Sequence, residues 1–139
     1  MGTKGTVISW YAKFEKSRNE EMTELHPEYA GLLRDVNERT YDLMDIFKNG
    51  LYVDPACGGS NSLKAVMPVL VPELSYKTLA IQEGGTASAS WAIVTDQKLP
   101  QEKRDKLYQD MIDYCRLDVY AMVRILEVLD RASRRVSIN

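Results

Sequence analysis

One short segment near the start constrains what this chain can fold into. Thr6-Val7-Ile8-Ser9-Trp10 is a β-branched and aromatic run that predicts a strand, and almost everything after it carries helical spacing. A lone strand leaves backbone N–H and C=O groups unpaired along its edges and needs a neighbour. Either a later segment pairs with residues 6–10, or the pairing strands lie outside this chain. The expectation is a mostly helical α/β fold with one to three strands and at least about five helices.

Helical spacing begins near Ala12, where Phe14, Met22 and Leu25 recur among charges. His26-Pro27-Glu28 predicts a break, with Pro27 at the first position of a new helix. Tyr29, Leu32, Leu33, Val36 and Thr40, with its neighbour Tyr41, fall near one face, and the apolar pattern continues through Leu43, Met44, Ile46 and Phe47 until Asn49-Gly50 stops it. Leu51 to Val53 reads as a short extended piece and residues 54–61, with Pro55, Gly58 and Gly59, as a loop. Ser62 to Met67 predicts a short helix ended by Pro68; Ser75 to Leu79 is ambiguous. Thr86 is the expected N-cap of a helix through Trp91 and Val94. Pro100 opens a long helical pattern to about Cys115. A second runs on to about Ala132 with Val119, Met122, Val123, Ile125, Leu126 and Leu129 as its apolar face.

The length, 139 residues, suits a single domain, and 45% hydrophobic with 27% charged residues is globular rather than disordered. A formal net charge of −2 gives no global attraction to nucleic acid, although local basic strips can supply one. Cys57 and Cys115 form no disulfide framework and no metal-ligand spacing, and His26 reads as a surface or capping histidine. No apolar run approaches the ~20 residues that span a membrane, and the first residues have no signal-peptide character. The expected location is the reducing cytoplasm.

Two places carry candidate chemistry. At Trp10 to Glu15 a carboxylate stands just past a strand end, at the start of a helix, where open α/β sheets place functional sites; a solvated first-turn glutamate favoured by the helix dipole fits the same spacing. At Tyr114-Cys115-Arg116-Leu117-Asp118 a phenol and a carboxylate four apart project from one helix face. Tyr41 and Asp45 repeat that spacing. Lys13, Lys16 and Arg18, with Lys64 and Lys77, either line a phosphate path or form a solvated face. Arg131, Arg134 and Arg135 complement the last helix's dipole.

A strand, then Ala-Lys-Phe-Glu, then about a hundred residues, then Tyr-x-x-x-Asp on a C-terminal helix resembles the order of motifs in ribonuclease H-like 3′–5′ exonucleases of the DEDD type, Tyr subclass. More closely, the chain resembles a bacterial domain family that follows a RecB-like nuclease region in longer proteins. The matching stretches are Trp10 to Arg18, Pro27 to Ala30, Asp42-Leu43, Gly59 to Leu70, Pro72 to Leu79, Ile81 to Ala87 and Tyr114 to Leu126. The resemblance implies hydrolysis of phosphodiester bonds in DNA or RNA by two Mg²⁺ or Mn²⁺ ions about 4 Å apart. It gives Asp118 the role of metal ligand, Glu15 that of holding metal-bound water, and Tyr114 that of orienting the attacking water.

The departures are specific. The first motif, an Asp-x-Glu on the first strand, occurs nowhere in the chain, and the second motif's usual Asn and Asp are here Tyr11 and Glu15. The expectation is residues 1–139 as one truncated ribonuclease H-like domain lacking its first strands, because the sequence begins so near where those strands would end. By itself it would hold a divalent ion weakly or not at all and would be inactive. Its partners would be nucleic acid and an upstream region of the same protein. A second copy over the exposed strand is a further arrangement, and no membrane is expected. The alternatives are a catalytically dead nuclease-like module that binds nucleic acid or a protein partner, and a purely structural helical domain.

Overall fold

Val7–Ser9 does form a strand, β1, and its partner lies within the chain. The structure, a computed structural model describing residues 4–136, continues through α1 (Ala12–Leu25), α2 (Ala30–Arg39), β2 (Thr40–Asp42), α3 (Met44–Lys48), α4 (Leu63–Leu70), α5 (Gly84–Val94) and α6 (Gln101–Val136). β1 and β2 pair in parallel, with Val7 opposite Thr40, Ile8 opposite Tyr41 and Ser9 opposite Asp42. The fold is mostly helical α/β, as expected. Its contacts fall into two units, Met1–Val66 and Met67–Asn139.

In the first unit the helical spacing through Thr40 and Tyr41 is overturned: α2 stops at Arg39 and Thr40–Asp42 is the second strand. Two β-forming residues side by side favour the pleated conformation, and side chains close the helix end. Thr40 Oγ1 donates to Val36 O (2.6 Å), taking a carbonyl that a helix terminus leaves without a partner. Arg39 binds Asp35 (2.6 Å) and Gly5 O (2.7 Å), tying the end of α2 to the segment before β1. Leu43 N–H donates to Ser9 O (2.9 Å) and extends the ladder by one bond. The break at His26-Pro27 is present as a single 3₁₀ turn, Pro27–Tyr29.

Phe14, Met22 and Leu25 stay exposed. α1 meets α2 partly through polar groups: Asn19 donates to Asn37 (2.8 Å), and Asn37 to Lys16 O (3.2 Å). Leu43 and Val66 are fully buried, Trp10 and Tyr52 lie against Phe47 with ring centroids 5.5 and 5.8 Å away, and Trp10 Nε1 donates to Asn61 O (3.1 Å). Leu51 to Val53 forms no strand; Leu51 and Tyr52 N–H groups both reach Ile46 O and close α3.

Pro68 does not end α4, which runs on to Leu70. The ring costs the helix one bond, to Lys64 O, and a single remaining turn tolerates that loss. In the second unit α5 begins at Gly84, before the expected Thr86 cap; Glu83 is extended and its carbonyl accepts the first helical bond from Ala87 N–H (3.0 Å). The two helical stretches expected from Pro100 to Ala132 are one helix, because no glycine or proline interrupts residues 101–136. Its buried stripe is Ala121, Ile125 and Leu129, whereas Val119, Val123 and Leu126 are exposed. No helix of the described residues is long and apolar enough to cross a membrane.

Candidate functional site

The junction after β1 is built around Asp42. Because the strands are parallel, the C-terminal ends of β1 and β2 lie at the same end of the sheet, and Asp42 stands level with Ser9. Its Oδ1 accepts from Tyr11 N–H (2.9 Å) and Met44 N–H (3.1 Å), and its Oδ2 from Ala12 N–H (2.8 Å). One carboxylate thus caps the starts of both α1 and α3 from a neighbouring strand, where a negative charge also meets the positive ends of the helix dipoles. Sequence spacing gave Asp42 no role; a cap thirty residues away has no local signature.

Tyr11, which caps α1, is left-handed, with φ 65° and ψ 58°, and is the described non-glycine residue with positive φ. An L-residue there carries a steric cost of roughly 1–2 kcal/mol, least for Asn. This gives a physical sense to the asparagine that the resembled motif carries at this position. Tyr11 is half exposed and loses little packing on truncation. Tyr11→Asn is expected to raise stability by up to about 1 kcal/mol, read as a higher urea midpoint; a lower midpoint would contradict the strain argument. Glu15 follows in the first turn of α1, exposed.

Lys13 and Lys16 line an open cleft of about 650 Å³ with Glu20, Tyr41, Asp45 and Lys48. The three lysine ammonium groups enter no ion pair among the described residues, but the acidic side chains on the walls balance them. Arg18 is engaged elsewhere, paired with Glu21 (2.5 Å) over the Phe14 ring. Tyr41 and Asp45, the second Tyr-x-x-x-Asp match, sit on a strand and on α3, so their spacing is not that of one helical turn.

In the second unit Tyr114 and Asp118 lie one turn apart on α6, as their spacing requires, and a third residue joins them. Tyr76, buried on the 3₁₀ turn Tyr76–Thr78, donates its phenol to Asp118 Oδ1, and its ring lies 5.7 Å from that of Tyr114. Burial, then the charge and hydrogen bond of Asp118, push the Tyr114 phenol up to about 12; the same causes raise Tyr76 further. Spacing could not reveal Tyr76, which meets Asp118 across 42 positions.

Both phenols hold their protons more tightly folded than unfolded, where tyrosine titrates near 10. Their contribution to stability is therefore complete below about pH 10 and falls as pH rises above it; that of Tyr114 is lost as pH rises through about 12, and that of Tyr76 goes on falling beyond. The unfolding midpoint should fall through this window, and less steeply in Tyr114→Phe. Parallel pH dependence in the variant and the parent would contradict the assignment.

A divalent ion could take one or two oxygens from Asp118, since an ionised carboxylate has about four lone-pair sites and the phenols occupy some of them. One carboxylate and two phenols do not supply the oxygens that a pair of hard ions needs. The second unit's donor set therefore does not fit a two-ion centre unaided.

A family model described as a domain of unknown function (DUF2779) matches residues 1–62. That segment runs from β1 through α3 and includes Tyr11, Glu15 and Asp42; Tyr76, Tyr114 and Asp118 lie beyond it. No curated protein and no solved structure matches the chain.

Proposed function

We propose that this chain contributes part of a metal-dependent nuclease of the 3′–5′ exonuclease type, acting in the cytoplasm on DNA or RNA. The observation that carries the reading is the placement of the Tyr114 phenol and the Asp118 carboxylate one turn apart on α6, with the Tyr76 hydroxyl on that carboxylate and its ring beside Tyr114. A phenol and a carboxylate so paired can orient water beside an oxygen-ligated ion. The parallel β1–α1–α2–β2 crossover adds support, because Glu15 opens the helix that leaves the C-terminal strand ends, where sites in α/β sheets gather. Glu15, Tyr114 and Asp118 take the roles the enzyme class assigns to such residues, and Mg²⁺ or Mn²⁺ supplies the Lewis acid when bound. The carboxylates of the absent Asp-x-Glu come from another polypeptide segment, upstream in the same protein.

The lysine-lined cleft and the half-exposed Tyr41 favour a second reading, a nuclease-like module that binds nucleic acid without cutting it. The two separate by variant analysis in a protein that includes an Asp-x-Glu segment. Hydrolysis requires Mn²⁺ or Mg²⁺, ends with Asp118→Ala or Glu15→Ala, and is only partly reduced by Tyr114→Phe. Binding that is unchanged by those three substitutions, with no cutting by the parent, supports the module reading instead.

A further inference from the structure

We infer that Tyr76 is a positioning residue for Asp118. The catalytic consequence rests on the nuclease reading, but the positioning does not. Asp118 is half-buried in the middle of α6, where a polar group partly withdrawn from water takes hydrogen-bond partners from the protein. Tyr114 is one such partner, but it belongs to the same helix and moves with it, so its contact cannot fix Asp118 against anything outside α6. Tyr76 can, because it arrives from a separate segment and is itself immobilised. Ser75 Oγ accepts from Lys77 N–H (3.2 Å), and Leu79 N–H donates to Tyr76 O (3.0 Å), which pins the turn. The ring is only 9% exposed and rests on Tyr114. With its hydroxyl on Oδ1, the carboxylate is held from a second direction, and two phenols on about four lone-pair sites leave room for a further ligand. The arrangement orients Asp118 without closing it.

Tyr76→Phe deletes the hydroxyl and keeps the ring against Tyr114. The test is the χ1 rotamer of Asp118, read from NMR couplings in the 139-residue chain. A single rotamer is expected in the parent and averaging over two or more in Tyr76→Phe, while amide shifts of Ala121, Ile125 and Leu129 stay in place. A hydroxyl needed only for packing would leave the Asp118 couplings unchanged, and that result overturns the inference. Should the variant not fold, the parent still decides. A slowly exchanging Tyr76 hydroxyl proton with an NOE to the Asp118 methylene supports the contact, and its absence overturns it. In a protein complemented with an Asp-x-Glu segment, Tyr76→Phe should lower kcat about 10- to 100-fold with KM nearly unchanged. Rotamer averaging in the variant with no activity in any protein would keep the role of Tyr76 and overturn the nuclease reading alone.

Discussion

Replacing Asp42 with alanine is expected to lower the unfolding free energy of the first unit by about 2–4 kcal/mol. The residue accepts from three backbone N–H groups, at 2.9, 3.1 and 2.8 Å. A hydrogen bond to a charged group contributes roughly 1.5–3 kcal/mol, but the three do not add. Tyr11 is half exposed, so water replaces part of what its N–H loses. Asp42→Asn keeps one acceptor oxygen and should cost about half as much. Urea denaturation followed by Trp10 fluorescence, with Trp91 replaced by phenylalanine, reports on this unit. A loss below about 0.5 kcal/mol, the range of ordinary surface substitutions, would mean that the cap contributes little and that α1 starts where it does for other reasons. The result bears on the proposed function, which gives a role to Glu15 on the helix that Asp42 caps.

The second large effect is on catalysis and follows from counting ligands. Mg²⁺ demands nearly octahedral oxygen coordination and gives up water reluctantly. A complete site of the proposed class surrounds two ions with four carboxylates. This sequence contains no Asp-x-Glu, so on the proposed reading it supplies Glu15 and Asp118 and lacks the bridging aspartate. Asp118 also gives part of its hydrogen-bonding capacity to two phenols. The chain alone should therefore hydrolyse no nucleic acid detectably. Once the missing carboxylates are supplied, Asp118→Ala should remove activity by several orders of magnitude, since under the proposed function it deletes a direct ligand.

How much of this was legible depended on the range of the interaction. The strand near Val7, the helix from Ala12, the turn at Pro27 and the stop at Gly50 are local features, set by β-branching, helical spacing, proline and glycine, and the sequence displays them. β2 escaped because Thr40 and Tyr41 continue the apolar spacing of α2; only pairing with β1 decides their conformation. α6 reads as two stretches although its sequence holds no breaker, and its buried stripe is legible in part: Ile125 and Leu129 are buried as expected, but Val119, Val123 and Leu126 are exposed while the smaller Ala121 is buried. Of the site, the Tyr114–Asp118 pair was legible from its spacing of one turn. Asp42 and Tyr76 were not, since each acts on a residue 30 or more positions away and no pattern along the chain marks such a contact.

The most direct test of the central claim is digestion of a 3′-labelled single strand, with and without Mn²⁺, by the 139-residue chain and by a protein that adds a segment carrying Asp-x-Glu. No release of 3′-terminal nucleotides is expected from the chain alone, and Mn²⁺-dependent release that Asp118→Ala abolishes is expected from the extended protein. Metal-dependent digestion by the 139 residues alone would contradict the ligand count, and an extended protein that cuts nothing in Mn²⁺ would contradict the nuclease assignment.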